Sequence, residues 1–183
     1  SGAIWSKYRS EGGAGKLGLL VADQVAIPGT GWEKAQFEQG EIISDGRNAW
    51  VVYCGPDYHS PGDGAPSAAY RAAFLSRHVA WGHPTWCGTS KVQPWGPAYY
   101  QCFREVSAAS ARSESGVGEA EGAIFAFSRG GLKACVLEGT AYRKYSAVGG
   151  PSGVLGLPAG DQTTAGGHRT APFDNGRIVQ ASG

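Results

Sequence analysis

"GGAGKLGLLVADQ" at 12–24 returns as "GGPSGVLGLPAGDQ" at 149–162, and its surroundings return with it. "GAIWSKY" precedes the first copy and "GTAYRKY" the second; "FEQGEI" and "FDNGRI" follow them. Internal repetition of a whole supersecondary unit constrains the fold more than any other feature. Each unit is too small to bury its own apolar face, so the units must pack on one another around a common centre.

Aligning on a Gly with an aromatic three residues later divides the single domain 1–183 into three units. Unit one, 2–54, starts Gly2-Ala3-Ile4-Trp5; unit two, 55–138, starts Gly55-Pro56-Asp57-Tyr58; unit three, 139–183, starts Gly139-Thr140-Ala141-Tyr142. Aromatics three residues apart before a Gly pair predict one or two helical turns ending on a left-handed Gly. Leu-Gly-x-Pro then predicts a tight corner, because Gly admits close backbone approach and Pro stops a helix. "FEQGEII", "SDGRN" and "AWVVY" read as strand, turn and strand, and "IFAF", "SRGG" and "LKACVL" as a second hairpin. Unit two carries an Ala/Ser/Glu/Gly-rich insertion, 104–121, which reads as a loop. The expected fold is mainly β with short helical turns.

Composition agrees. Thirty Gly and ten Pro beside only 17% charged residues suit short strands joined by tight turns, and 42% hydrophobic residues suffice for a core. A net charge of +1 with scattered Lys and Arg excludes an electrostatic footprint for nucleic acid or anionic membrane. No apolar stretch is long enough for a bilayer-spanning helix. Four Cys fit no CxxC metal pattern, and an even count in a Gly-rich, weakly charged chain points to export and disulfides. The expected pairs are Cys87–Cys102, flanking one loop, and Cys54–Cys135, in the returning strands of successive units.

The sequence carries no GxSxG, HExxH, Walker or dinucleotide motif, so no catalytic residue, metal or cofactor is assigned. "DYHSPGD" gathers Asp57, His59 and Asp63, which reads as an acid/base or metal cluster or as a polar loop. The densest aromatic stretch, 81–100, holds Trp81, Trp86, Trp95, Tyr99 and Tyr100 among Gly and Pro. Aromatic faces stack on sugar rings, so Trp86, Trp95, Tyr99 and His83 are candidate ligand-binding residues; the alternative is a satellite core. Asp23 and Asp161, five residues after the repeat's Leu-Gly glycine, are either turn caps or equivalent hydroxyl binders.

"LGLP" at 155–158 with "FDNGRI" at 173–178 closely resembles the LGFP-repeat family; "LGLL" at 17–20 lacks the Pro and "WGHP" at 81–84 lacks the Leu. The resemblance covers most of the chain except roughly 59–70 and 104–121. Such repeats occur in exported actinobacterial proteins and are taken to attach them to cell-wall polysaccharide. The resemblance therefore implies a secreted, cell-wall-associated, lectin-like module that binds polysaccharide without catalysis, beside other domains of a larger exported protein. The rival readings are a secreted hydrolase of an envelope polymer and a protein-binding or inhibitor module presenting the 104–121 loop. Unit three ends one strand short of the plan of the other two, and this predicts a closed ring in which the N-terminal segment covers strand 172–180.

Overall fold

The computed structural model describes residues 2–28, 30–53, 59, 61–81, 86–105 and 121–181. The chain makes one plan three times, a helix followed by an antiparallel meander. In unit one α1 (Ala3–Ser10) and the single turn α2 (Ala14–Leu17) precede β1 (Leu20–Ile27), β2 (Trp32–Phe37), β3 (Gly40–Ser44) and β4 (Ala49–Tyr53), ordered β1-β2-β3-β4. In unit two α3 (Ala68–Trp81) precedes β5 (Trp86–Gly88), β6 (Gln93–Trp95), β7 (Ala98–Glu105), β8 (Glu121–Ser128) and β9 (Leu132–Glu138), with β5 and β6 both paired to β7. In unit three α4 (Gly139–Ala147) and a 3₁₀ turn at Gly150–Ser152 precede β10 (Thr163–Ala165), β11 (His168–Phe173) and β12 (Gly176–Ala181). The expected mainly β chain and both hairpins are present. The expected opening of unit two, Gly55–Tyr58, lies outside the described residues, and the helix standing at this place in the plan is α3.

The repeated motif has a physical reason. Tyr8 donates its hydroxyl to the Gly18 carbonyl at 3.0 Å, and Tyr145 donates to the Gly156 carbonyl at 2.7 Å. Both rings stack on the Phe that opens the following turn, Tyr8 on Phe37 at 4.7 Å and Tyr145 on Phe173 at 4.5 Å. The residue after that Phe is acidic, and its carboxylate accepts the amide of the residue after the corner Gly: Leu19 N to Glu38 at 2.9 Å, Leu157 N to Asp174 at 3.3 Å. In return the Glu38 and Asp174 amides donate to the Leu19 and Leu157 carbonyls, both at 3.0 Å. The corner glycines have φ of +75° and +71°, a left-handed conformation costly for any L side chain. A Cβ on Gly18 would lie 2.6 Å from that of Glu38, so the site demands Gly twice over.

Packing couples the units. Side chains alternate across β8: Ile124 and Ala126 join Phe74 of α3 in one cluster, Ala123 and Phe125 join Ala141 and Tyr145 of α4 in another. The sheet of unit two is therefore held between its own helix and that of unit three. The sheet of unit one is held in the same way. Ile42 faces Ile4 of α1, while Ile43 and Val52 pack with Leu75 of α3. The middle strands β3 and β8 are consequently buried along both faces, which is why "GEIIS" and "GAIFAF" lack polar alternation.

Two expectations are corrected here. The sheets are open rather than parts of a closed barrel, and among the described residues β12 pairs with β11 alone, so the closed ring with the N-terminal segment over 172–180 is not found there. Cys102 and Cys135 are free thiols, so neither predicted bridge is present. In the β5–β7 ladder Cys87 stands opposite Arg104, and it is Thr89 whose amide donates to the Cys102 carbonyl at 2.9 Å. Cys102 turns its Sγ to the Tyr142 hydroxyl at 3.2 Å instead. Cys135 is buried with Ala98, Phe127 and Leu157 as an apolar filler; Cys54 lies outside the described residues.

Candidate functional site

Where unit three mounts unit two there is a cavity of about 170 Å³ lined by Thr89, Cys102, Phe103, Arg104, Gly122 and Tyr142. Strand β7 supplies three successive residues: Phe103 turns inward against α3, while Cys102 and Arg104 take the other face. Gly122, opposite Phe103 on β8, keeps the floor low, and α4 brings Tyr142 across from unit three. Arg104 occupies the position that is Glu38 in unit one and Asp174 in unit three. Those carboxylates close their corners on a backbone amide; a guanidinium cannot accept, so at this repeat position unit two carries a cation with a different role.

Burial and the hydrogen bond with Cys102, in that order, push the Tyr142 hydroxyl far above the usual phenol range. Tyr142 therefore stays protonated near neutrality: it can donate to a ligand oxygen but cannot take a proton from the neighbouring thiol. Among the described residues the lining holds no His, Asp or Glu. The described lining offers two hydroxyls, a guanidinium, a thiol and the ring of Tyr142.

Of the candidate ligand-binding residues singled out from sequence, none whose side chain is described lines this cavity. Trp95 seats its ring against Gly150, where any side chain would occupy the same space, and packs near Tyr100 at 5.1 Å and Phe125 at 6.3 Å. Tyr99 projects to the opposite face and meets the edge of Tyr70 at 5.1 Å. Trp86 places its backbone in β5; His83 lies outside the described residues. Asp23 is exposed on β1, whereas Asp161 accepts from the Val136 amide at 3.0 Å and pairs with Arg77. Asp161 thereby ties unit three to the free edge of β9. His59 lies 3.6 Å from Asp63, which also faces Arg71 at 3.9 Å; Asp57 is outside the described residues. No group of three His, Cys, Asp or Glu among the described residues could hold a metal ion, and no described helix is long and apolar enough to cross a membrane.

Sequence reading missed Thr89, Arg104 and Tyr142. The signal for Arg104 was available, a basic residue at the one position after the repeat's Phe that is acidic in both other units. No protein-family model matches the chain, and no curated protein is detectably similar to it in sequence.

Proposed function

We propose that this chain is a non-catalytic carbohydrate-binding module of an exported protein, three repeat units stacked in series, which holds envelope polysaccharide at the junction of units two and three. The observation that carries the reading is the described lining of the cavity: hydroxyl and guanidinium donors beside the ring of Tyr142. A volume of about 170 Å³ is below the roughly 300–1,000 Å³ typical for drug-sized ligands. It suits one sugar ring or substituent, with the rest of the polymer outside. Arg104 favours an acidic or oxygen-rich substituent. The sequence resemblance to LGFP repeats supports the envelope as the source of that polymer.

The test is retention on immobilised cell-wall polysaccharide and on a glycan array. Wild-type protein should be retained, and Tyr142→Phe and Arg104→Ala should each weaken retention, Tyr142→Phe by roughly 2- to 10-fold for one lost hydrogen bond. Absence of retention on every glycan, or unchanged retention in both variants, overturns the reading.

A further inference from the structure

The corresponding strands of the three units differ in what covers them. Ile43 in β3, Phe125 in β8 and Val179 in β12 each stand three residues after the Gly of the Gly-x-Ile motif. Ile43 is 1% exposed beneath α3, and Phe125 is 0% exposed beneath α4. Val179 is 53% exposed. At the other end of the series the helical side is bare in turn. Tyr142, three residues after Gly139, meets Phe125 at 6.4 Å, but its counterpart Trp5 on α1, three residues after Gly2, is 53% exposed. Leu157 packs against Ala98, Phe127 and Cys135 of unit two, but its counterpart Leu19 is 63% exposed. Leu20 and Val21 continue that apolar surface at 52% and 59%.

We infer that these two exposed surfaces are the two halves of one interface and that a second copy of the chain occupies each, with α1 and the Leu19–Val21 corner of one copy seated on the β12 face of the next. The interface that would form is already drawn inside the chain: α3 covers the outward face of the unit-one sheet, and α4 with the Leu157 corner covers that of unit two. Trp5, Leu19, Leu20 and Val21 are exposed on one side of the three units and Val179 on the other. The two surfaces are different, so the contact is heterologous and propagates head to tail rather than closing as a two-fold dimer. Among the described residues the outer edge of β12 has no partner strand, which adds backbone donors and acceptors to the receiving surface. This inference is independent of the glycan reading.

Sedimentation velocity across a concentration series tests it. The average mass of the wild type should rise with concentration. Trp5→Asp/Leu19→Asp should hold the chain at monomer mass, and so should Val179→Asp. All three residues are exposed, so the far-UV circular dichroism of both variants should match the wild type; Leu19→Lys and Val179→Lys serve as a second pair should either aspartate variant unfold. Each variant keeps one intact surface, so mixing the two should restore a one-to-one dimer and nothing larger. A wild type that is monomeric at every concentration overturns the inference. So does an assembly that survives in both variants, or one that the mixture fails to restore.

Discussion

Units one and three share a corner nearly atom for atom, yet they live in different surroundings. The Tyr hydroxyl on the Gly carbonyl, the Tyr–Phe stack and the acid on the corner amide are common to both. Around them unit three is packed onto unit two, with Tyr145 fully buried and Asp161 bonded across the junction, while Tyr8 is half-buried and Asp23 exposed. The corner is therefore a property of the unit, specified by its own residues. Docking is a property of the neighbour, and it decides how much each identical residue contributes.

Large truncations should separate the two units most. Tyr145→Ala removes a fully buried ring and should cost about 3–5 kcal/mol. Tyr8→Ala should cost about 1–2 kcal/mol, because part of that ring already lies in water. Urea midpoints at constant slope measure both; equal losses would mean that the unit two–three junction adds nothing to the corner. Asp161→Ala should come next, at about 1.5–3 kcal/mol, because it strips a charged acceptor from the Val136 amide and leaves Arg77 without its carboxylate. Asp23→Ala, at the matching position, should stay within about 0.5 kcal/mol in the monomer. A large effect of Asp23→Ala at low protein concentration would show that unit one has a partner within the chain after all.

Alkaline pH should act on the same contrast. Burial pushes the hydroxyls of Tyr142 and Tyr145 and the thiol of Cys135 upward, and all three sit where unit three meets unit two. A raised pKa in the folded state means that its stabilising effect is complete below the unfolded pKa and is lost as pH rises through the folded one. Unit three should thus loosen from unit two in the alkaline range while the unit-one sheet keeps its amide protection. Simultaneous loss of protection in β3 and β12 on raising the pH would contradict this.

How far this architecture can be read from the chain follows from the same distinction. What a unit encodes alone was legible: the helices α1 and α4, the Leu-Gly corner and both hairpins follow from Gly, aromatic and β-branched spacing. Helix α3 was not, because it serves two sheets. Phe74 points into one cluster and the adjacent Leu75 into another, so its apolar residues do not trace a single stripe. The cavity was hidden for a related reason: it exists only when Tyr142 is laid over Cys102, 40 residues earlier in the chain. The cysteines misled because parity says nothing about surroundings. Cys135 fills a core beside Leu157, and Cys102 meets a phenol.

The smallest expected effect contrasts the two complete hairpins. Between β3 and β4, Asp45 accepts the Arg47 amide at 2.8 Å and the Asn48 amide at 2.7 Å. Between β8 and β9 the turn is closed by backbone alone, Arg129 N to Gly131 O at 2.8 Å. The amides of Asn48 and Arg47 hold the Asp45 carboxyl below its ordinary value. A depressed folded pKa means that the contribution is present above the unfolded pKa and fades as pH falls through the folded one. Acid should therefore relax the turn at 45–48 and leave that at 129–131 unchanged. Backbone amide shifts followed by NMR should show Arg47 and Asn48 titrating together, with a midpoint below that of an Asp in a short peptide, while the amide of Arg129 stays still. Asp45→Ala should remove the titration without altering the β8–β9 turn. A midpoint at or above the peptide value would mean that the two amides do not stabilise the carboxylate, and the difference between the hairpins would then rest on backbone geometry alone.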